Sequence, residues 1–197
     1  HFSVRGWFDV YCTQGETSTL PFKELERKYG FFKVYETGWC KADTFVKERA
    51  NTSRNARPVV LYSTTFTKDI TSAPYLFETI KRLVKEKDWD WIISFHPKFN
   101  DSAVLKKYKA LASACPNVTF HENGIVDANL LNRADVLLSD ASSVIVEFMM
   151  LDKPVVTYRN TMPGKHLLDV TDINAVEGAL EKAISRPAEL MEQIRAY

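Results

Sequence analysis

The chain has 197 residues, of which 45% are apolar and 26% charged, and its formal net charge is +1. These values fit one globular domain, or one domain with part of another, and exclude both a disordered chain and the broad basic surface of a nucleic-acid binder. No apolar run approaches the roughly 20 residues that span a bilayer, and Cys12, Cys40 and Cys115 form neither a CxxC pair nor a zinc spacing, which reads as reduced thiols of a cytosolic protein.

The chain opens at His1 with neither a methionine nor a signal-peptide pattern, and we read it as a piece of a longer protein. Up to about Arg57 the pattern is irregular. "FDVYCTQG" reads as a strand and turn, "PFKELERKYG" as a helix closed by Gly30, and "FKVYETG" as a second strand. A helix around Asp43 to Arg49 follows, and "ERANTSRNAR" is polar enough for a linker.

From Pro58 onward, strand and helix alternate. "PVVLYS" is a β-branched run of a buried strand. Ser72 and Pro74 open a helix as cap and first-turn residue, with Leu76, Phe77, Ile80, Leu83 and Val84 on one face. "WIISF" is the second strand. "NDSAVLKKYKALASAC" is a helix with Leu105, Tyr108, Leu111 and Ala112 inward. "NVTFH" is the third strand, "DANLLNRA" a short helix and "DVLLS" the fourth strand. "SSVIVEFMML" reads as a helix, Pro154 follows it, and "PVVTY" is the fifth strand. "DINAVEGALEKAIS" is amphipathic through Ile173, Val176, Leu180 and Ile184, and Pro187 starts a last helix.

This alternation with short connections predicts an α/β fold: a doubly wound, Rossmann-like parallel sheet covered on both faces. Ligands of such sheets bind beyond the carboxyl ends of the strands. The polar clusters fall there: "STTF", "HPKF", "ENGIVD" and "SDASS" follow strands one to four.

Each cluster has a structural and a functional reading. In "SDASSVIVEF", Ser139, Asp140, Ser142 and Ser143 stand at a helix start, where unpaired N–H groups and the helix dipole favour an anion such as phosphate. Asp140 or Ser142 acting as a simple cap is the alternative. Glu147, one turn further, is placed to accept hydrogen bonds from sugar hydroxyls. His96 in "FHPKF" is either a surface imidazole or a general acid, base or phosphate donor, with Lys98 as a nearby cation. Thr64 and Thr65 offer hydroxyls or a cap. Gly124, Ile125 and Val126 offer exposed backbone and an apolar face to a base, or form an ordinary turn capped by Asp127. His121 reads as a surface imidazole in a turn, His166 has no second candidate ligand near it in sequence, and no spacing suggests a metal site.

Taken in order, "VVLYSTTF", "IISFHPKF" and "LLSDASSVIVEFMMLDKPVVTY" resemble the CDP-glycerol glycerophosphotransferase family, the polymerases and primases of teichoic-acid-type polymers. Thr64 stands where that family more often has proline. "ETGWCKADTF" resembles the family segment before the interdomain linker. "HFSVRGW" resembles its N-terminal "HG…KG" motif, with Phe2 for Gly and Arg5 for Lys, which makes His1 a candidate catalytic base.

The resemblance implies a GT-B architecture, with 1–57 the tail of the N-terminal domain and crossover, and 58–197 the nucleotide-binding C-terminal domain. It implies that Ser142 and Ser143 hold the CDP phosphates and that Glu147 binds the ribose. The Gly124–Val126 backbone would meet the cytosine, and His96 would contact the pyrophosphate or assist the leaving CMP. Neither cofactor nor metal is implied. The implied partners are a nucleotide-activated small molecule and a polymer or lipid-linked acceptor. The implied location is cytoplasmic and peripheral on the inner membrane face, with membrane contact through regions outside this chain. A GT-B glycosyltransferase or 2-epimerase using a UDP-sugar, and a non-catalytic nucleotide-binding fragment, are the alternative readings.

Overall fold

The computed structural model describes residues 4–43 and 55–197. The chain divides into two compact units, residues 1–47 and 48–197.

In the first unit, β1 (Val10–Thr13) and β2 (Lys33–Glu36) pair in parallel around α1 (Glu16–Tyr29). Sequence placed the helix start at Pro21, but it begins five residues earlier. Gly15 caps it, and Pro21 lies inside. Gly30 ends it at φ 73°, the left-handed cap that glycine adopts without penalty. Tyr11 packs on Phe22 and Phe32 at 5.2 and 4.9 Å between ring centroids. Residues 40–43 are helical, and the rest of the expected helix and most of the linker lie outside the described residues.

The second unit holds a parallel six-stranded sheet. Its strands are β3 (Val59–Thr64), β4 (Asp90–Phe95), β5 (Val118–His121), β6 (Val136–Ser139), β7 (Val155–Tyr158) and β8 (Leu168–Val170), in the spatial order β5-β4-β3-β6-β7-β8. Numbered within the sheet this is 3-2-1-4-5-6, the Rossmann order. Five strands match the sequence reading. β8 was not expected, because "LDV" is three half-buried residues with no period to detect.

The helices are α2 (Ala73–Glu86), α3 (Ser102–Ala114), α4 (Ala128–Arg133), α5 (Val144–Met149), α6 (Val176–Ser185) and α7 (Ala188–Ala196), with a 3-10 turn at Ile173–Ala175. Val60, Tyr62, Trp91, Ile93, Val136, Leu138 and Val156 face one core with Leu76, Ile80 and Leu83 of α2, Tyr108 of α3 and Leu180 of α6. Each such aliphatic side chain contributes about 1.5–3 kcal/mol on burial. Leu61, Ile92, Leu137 and Val155 alternate with these along their strands and are equally buried, so both sheet faces are covered. The expected ten-residue helix "SSVIVEFMML" is shorter: α5 has six residues and gives way to a turn. Asp101 and Asp127 cap α3 and α4, each accepting from an N–H three residues on, Val104 at 3.0 Å and Leu130 at 2.8 Å.

Candidate active site

The strand order reverses between β3 and β6, and this opens a crevice at their carboxyl ends. Asp140 sits at its base, fully buried. Its carboxylate accepts from Thr64 Oγ1, from Thr65 N and Ser72 N at 2.9 Å each, from Ser72 Oγ at 3.0 Å and from Ala141 N at 2.7 Å. Because Thr64 and Ser72 donate to Asp140, their oxygens accept from Thr71 Oγ1 at 2.7 Å and the Tyr62 hydroxyl at 2.9 Å. The chain of donors thus runs inward to one carboxylate. Burial, and secondarily the charge of Asp140, push the Tyr62 phenol well above its usual range, so it stays a donor.

This geometry revises three expectations. Thr64, Ser139 and Asp140 lie inside the protein, at 1%, 0% and 0% exposure. Ser139 Oγ donates to the Ser63 carbonyl at 2.7 Å. These residues position the crevice loops: Thr64 bonds to Asp140, and Ser139 to the Ser63 carbonyl. The expected caps differ as well. Ser72 stands at the N-cap of α2 but turns its hydroxyl to Asp140. Asp140 does not cap α5, Ser142 Oγ accepts from Val144 N only at 3.4 Å, and Ser143 makes no side-chain capping bond.

The five loops around the crevice touch in strand order. The loop after β5 meets the loop after β4 at Gly124. With φ 65°, a Cβ there would lie 2.3 Å from the Phe95 carbonyl oxygen and 3.1 Å from Pro97 N. Glycine is therefore required both for conformation and for space. Gly124→Ala is expected to lower unfolding free energy by about 1–3 kcal/mol, measured by urea denaturation; an unchanged midpoint would contradict this close approach. His121, which the sequence left without a role, braces the same loop through Nε2 and the Ile125 carbonyl at 3.0 Å. Ile125 is exposed and Val126 half-buried.

The loop after β4 meets the loop after β3 through the rings of His96 and Phe66, 4.4 Å apart. Lys98 Nζ lies 5.7 Å from the Phe66 centroid. The Lys98 backbone N–H donates to His96 Nδ1 at 3.0 Å, so in the neutral ring the proton sits on Nε2, the nitrogen left to act. The loop after β3 is bonded to Asp140 as above. The loop after β7 closes the series: Arg159 turns through a left-handed φ of 54°, and Asn160 Nδ2 donates to the Asp140 carbonyl at 2.6 Å.

Ser142 and Ser143 line a cleft of 220 Å³ with Asn160, Thr161, Met162 and His166. Sequence reasoning missed this far wall, since nothing local relates residues 160–167 to the serines. Glu147 is buried on α5 at 6% exposure. Larger hollows of 530 and 370 Å³ lie around Asn55, Asp135 and Arg57, by the amino ends of the strands and away from the clustered motifs. His1 lies outside the described residues. Among the described residues, no group of three or more His, Cys, Asp or Glu is placed to hold a metal ion, and no helix is long and apolar enough to cross a membrane.

A parallel sheet of this order, flanked by helices, is the Rossmann-like fold of GT-B glycosyltransferases, and solved structures bear this out. The wall teichoic acid polymerase TagF is 17% identical, with a TM-score of 0.63 over 94% of this chain and 52% of that one. A UDP-N-acetylglucosamine 2-epimerase from Listeria monocytogenes is 14% identical, with a TM-score of 0.66 over 93% and 54%. A glycosyltransferase from Rickettsia africae is 15% identical, with a TM-score of 0.57 over 89% and 56%. The chain thus spans about half the length of these proteins. No curated protein matches it significantly in sequence. Residues 15–164 match the family described as CDP-glycerol:poly(glycerophosphate) glycerophosphotransferase, and the chain belongs to that family.

Proposed function

We propose that the second unit binds CDP-glycerol and takes part in transferring glycerol phosphate to an acceptor hydroxyl, with release of CMP. The observation that carries this reading is the crevice at the β3–β6 switch point, framed by the family's motif residues in five mutually braced loops. In the reaction, the acceptor oxygen forms a bond to the β-phosphorus as the bond from that phosphorus to the bridging oxygen breaks. CMP leaves with the electron pair. The hydroxyl proton passes to a base, for which the family resemblance nominates His1.

Ser142, Ser143 and the Thr65 hydroxyl suit the phosphates, and the Gly124–Val126 backbone suits the cytosine. Glu147 is proposed for the ribose hydroxyls. His96 Nε2 is proposed as a donor to the pyrophosphate, with Lys98 supplying positive charge. Such preorganised donors stabilise charge developing on the phosphoryl oxygens without solvent rearrangement. The proposed acceptor is a polymer or lipid-linked chain, met on the inner face of the membrane by the full-length protein.

Removing one donor to a charged ligand weakens binding by about 1.5–3 kcal/mol, so Ser143→Ala is expected to lower CDP-glycerol affinity by roughly 10- to 100-fold, and Glu147→Gln to weaken it less. Calorimetry measures both, and unchanged affinity in both variants would undo the assignment. Transfer of labelled glycerol phosphate from CDP-glycerol by the full-length enzyme tests the reaction. Turnover of a UDP-sugar without turnover of CDP-glycerol would reject it.

A further inference from the structure

We propose that the cleft beyond Ser142 and Ser143 is a polyol subsite and that His166 is its specificity-determining residue, hydrogen-bonded to a glycerol hydroxyl of the donor. The inference rests on the CDP-glycerol reading above and extends it to a wall of the site contributed by the loop after β7.

The His166 ring is held by two neighbours. It stacks on Tyr197 with 3.7 Å between centroids and 22° between planes. Gly164 leaves room for it, since a Cβ there would lie 2.5 Å from Cε1. The loop carrying the ring is anchored in turn. Asn160 donates to the Asp140 carbonyl, and Asp169 accepts from Asn160 N at 2.9 Å and Thr157 Oγ1 at 2.7 Å. His166 therefore lines the same cleft as the serines on a fixed frame, as a specificity contact requires. Burial holds the imidazole below its usual value, so at neutral pH it presents one N–H donor and one acceptor rather than a charge.

The chemistry of the wall selects the ligand. Its polar side carries hydroxyls, an amide and an imidazole; its apolar side is Ile145, Met149 and Leu167; among the described residues neither Lys nor Arg lines it. Beyond the two serines, which are assigned to the pyrophosphate, a wall formed by Asn160, Thr161, Met162 and His166 offers no cation to a further phosphate dianion. It suits neutral hydroxyls that both donate and accept, carried on a short hydrocarbon chain. The cleft, of 220 Å³, is small beside the ~300–1,000 Å³ of pockets that enclose drug-sized ligands, and a three-carbon polyol fits it.

The test is calorimetric titration of the wild-type chain, His166→Phe and His166→Asn with CDP and with CDP-glycerol. Phenylalanine keeps the stack on Tyr197 and removes both nitrogens, and unchanged melting temperatures verify the fold. Wild type is expected to bind CDP-glycerol more tightly than CDP. His166→Phe is expected to lose about three- to tenfold in CDP-glycerol affinity with CDP unchanged, and His166→Asn, which retains an N–H, to recover part of the loss. Equal weakening of both ligands would place His166 on the nucleotide and overturn the proposal, as would CDP-glycerol affinity unchanged in His166→Phe. Wild type that binds neither ligand would instead refute the CDP-glycerol reading itself, and the subsite with it.

Discussion

Asp140→Ala is expected to unfold the second unit at markedly lower urea, with a loss of about 3–5 kcal/mol in unfolding free energy and an unchanged slope. Five donors converge on this buried carboxylate: three backbone N–H groups and the hydroxyls of Thr64 and Ser72. Alanine would remove the acceptor of all five, and the Thr64 hydroxyl and both Ser72 groups are buried, where the cost of an unpaired donor exceeds the net worth of the bond it lost. Asp140→Asn separates folding from shape. It keeps the volume but turns an NH2 toward donors, so it is expected to fall between wild type and alanine. Because Thr65 N and Ser72 N belong to the loop after β3, both variants are also expected to weaken CDP-glycerol binding. A stable Asp140→Ala protein with wild-type affinity would contradict the positioning role.

His96→Ala in the full-length enzyme is expected to lower kcat/KM for CDP-glycerol by about 10²–10⁴-fold, the usual scale for losing a positioned acid or donor. The Lys98 N–H occupies Nδ1 and Phe66 packs against the ring, so Nε2 is the nitrogen left for the ligand. If His96 acts on the leaving CMP, the loss falls mainly on kcat. If it only anchors the ground-state pyrophosphate, KM rises and kcat stays. Wild-type values of both would remove His96 from the reaction. The residue is half-buried and its ring packs on Phe66, so stability is expected to change by about 1 kcal/mol.

Much of the fold was legible because burial repeats with the period of each element. "VVLYS", "WIISF" and "VVTY" are runs that only a covered strand explains, and Leu76, Ile80 and Leu83 mark one face of a helix. Legibility failed where a few residues answer to distant ones. β8 pairs three residues with β7 and has no pattern of its own. Pro21 looked like a helix start because Gly15, the true cap, lies in a polar stretch.

The site divided the same way. That polar strand ends would gather around a crevice followed from topology. Which of them face it did not. Asp140 reads as a ligand group in sequence, yet its partners Thr64 and Ser72 lie 76 and 68 positions away, and they turn it into a buried brace. His166 carried no local signal, because the serines across its cleft and the Tyr197 ring beneath it are brought there by folding. Gly124 was noticed as exposed backbone, whereas its contact with the Phe95 carbonyl shows that it joins two loops.

The measurement that bears most directly on the central claim is calorimetric titration of this chain with CDP-glycerol, CDP and a UDP-sugar, repeated with Ser143→Ala. The account predicts saturable binding of CDP-glycerol, weaker binding of the UDP-sugar, and a 10- to 100-fold loss of CDP-glycerol affinity in the variant. Preference for the UDP-sugar, or CDP-glycerol affinity unaffected by Ser143→Ala and Glu147→Gln alike, would contradict it.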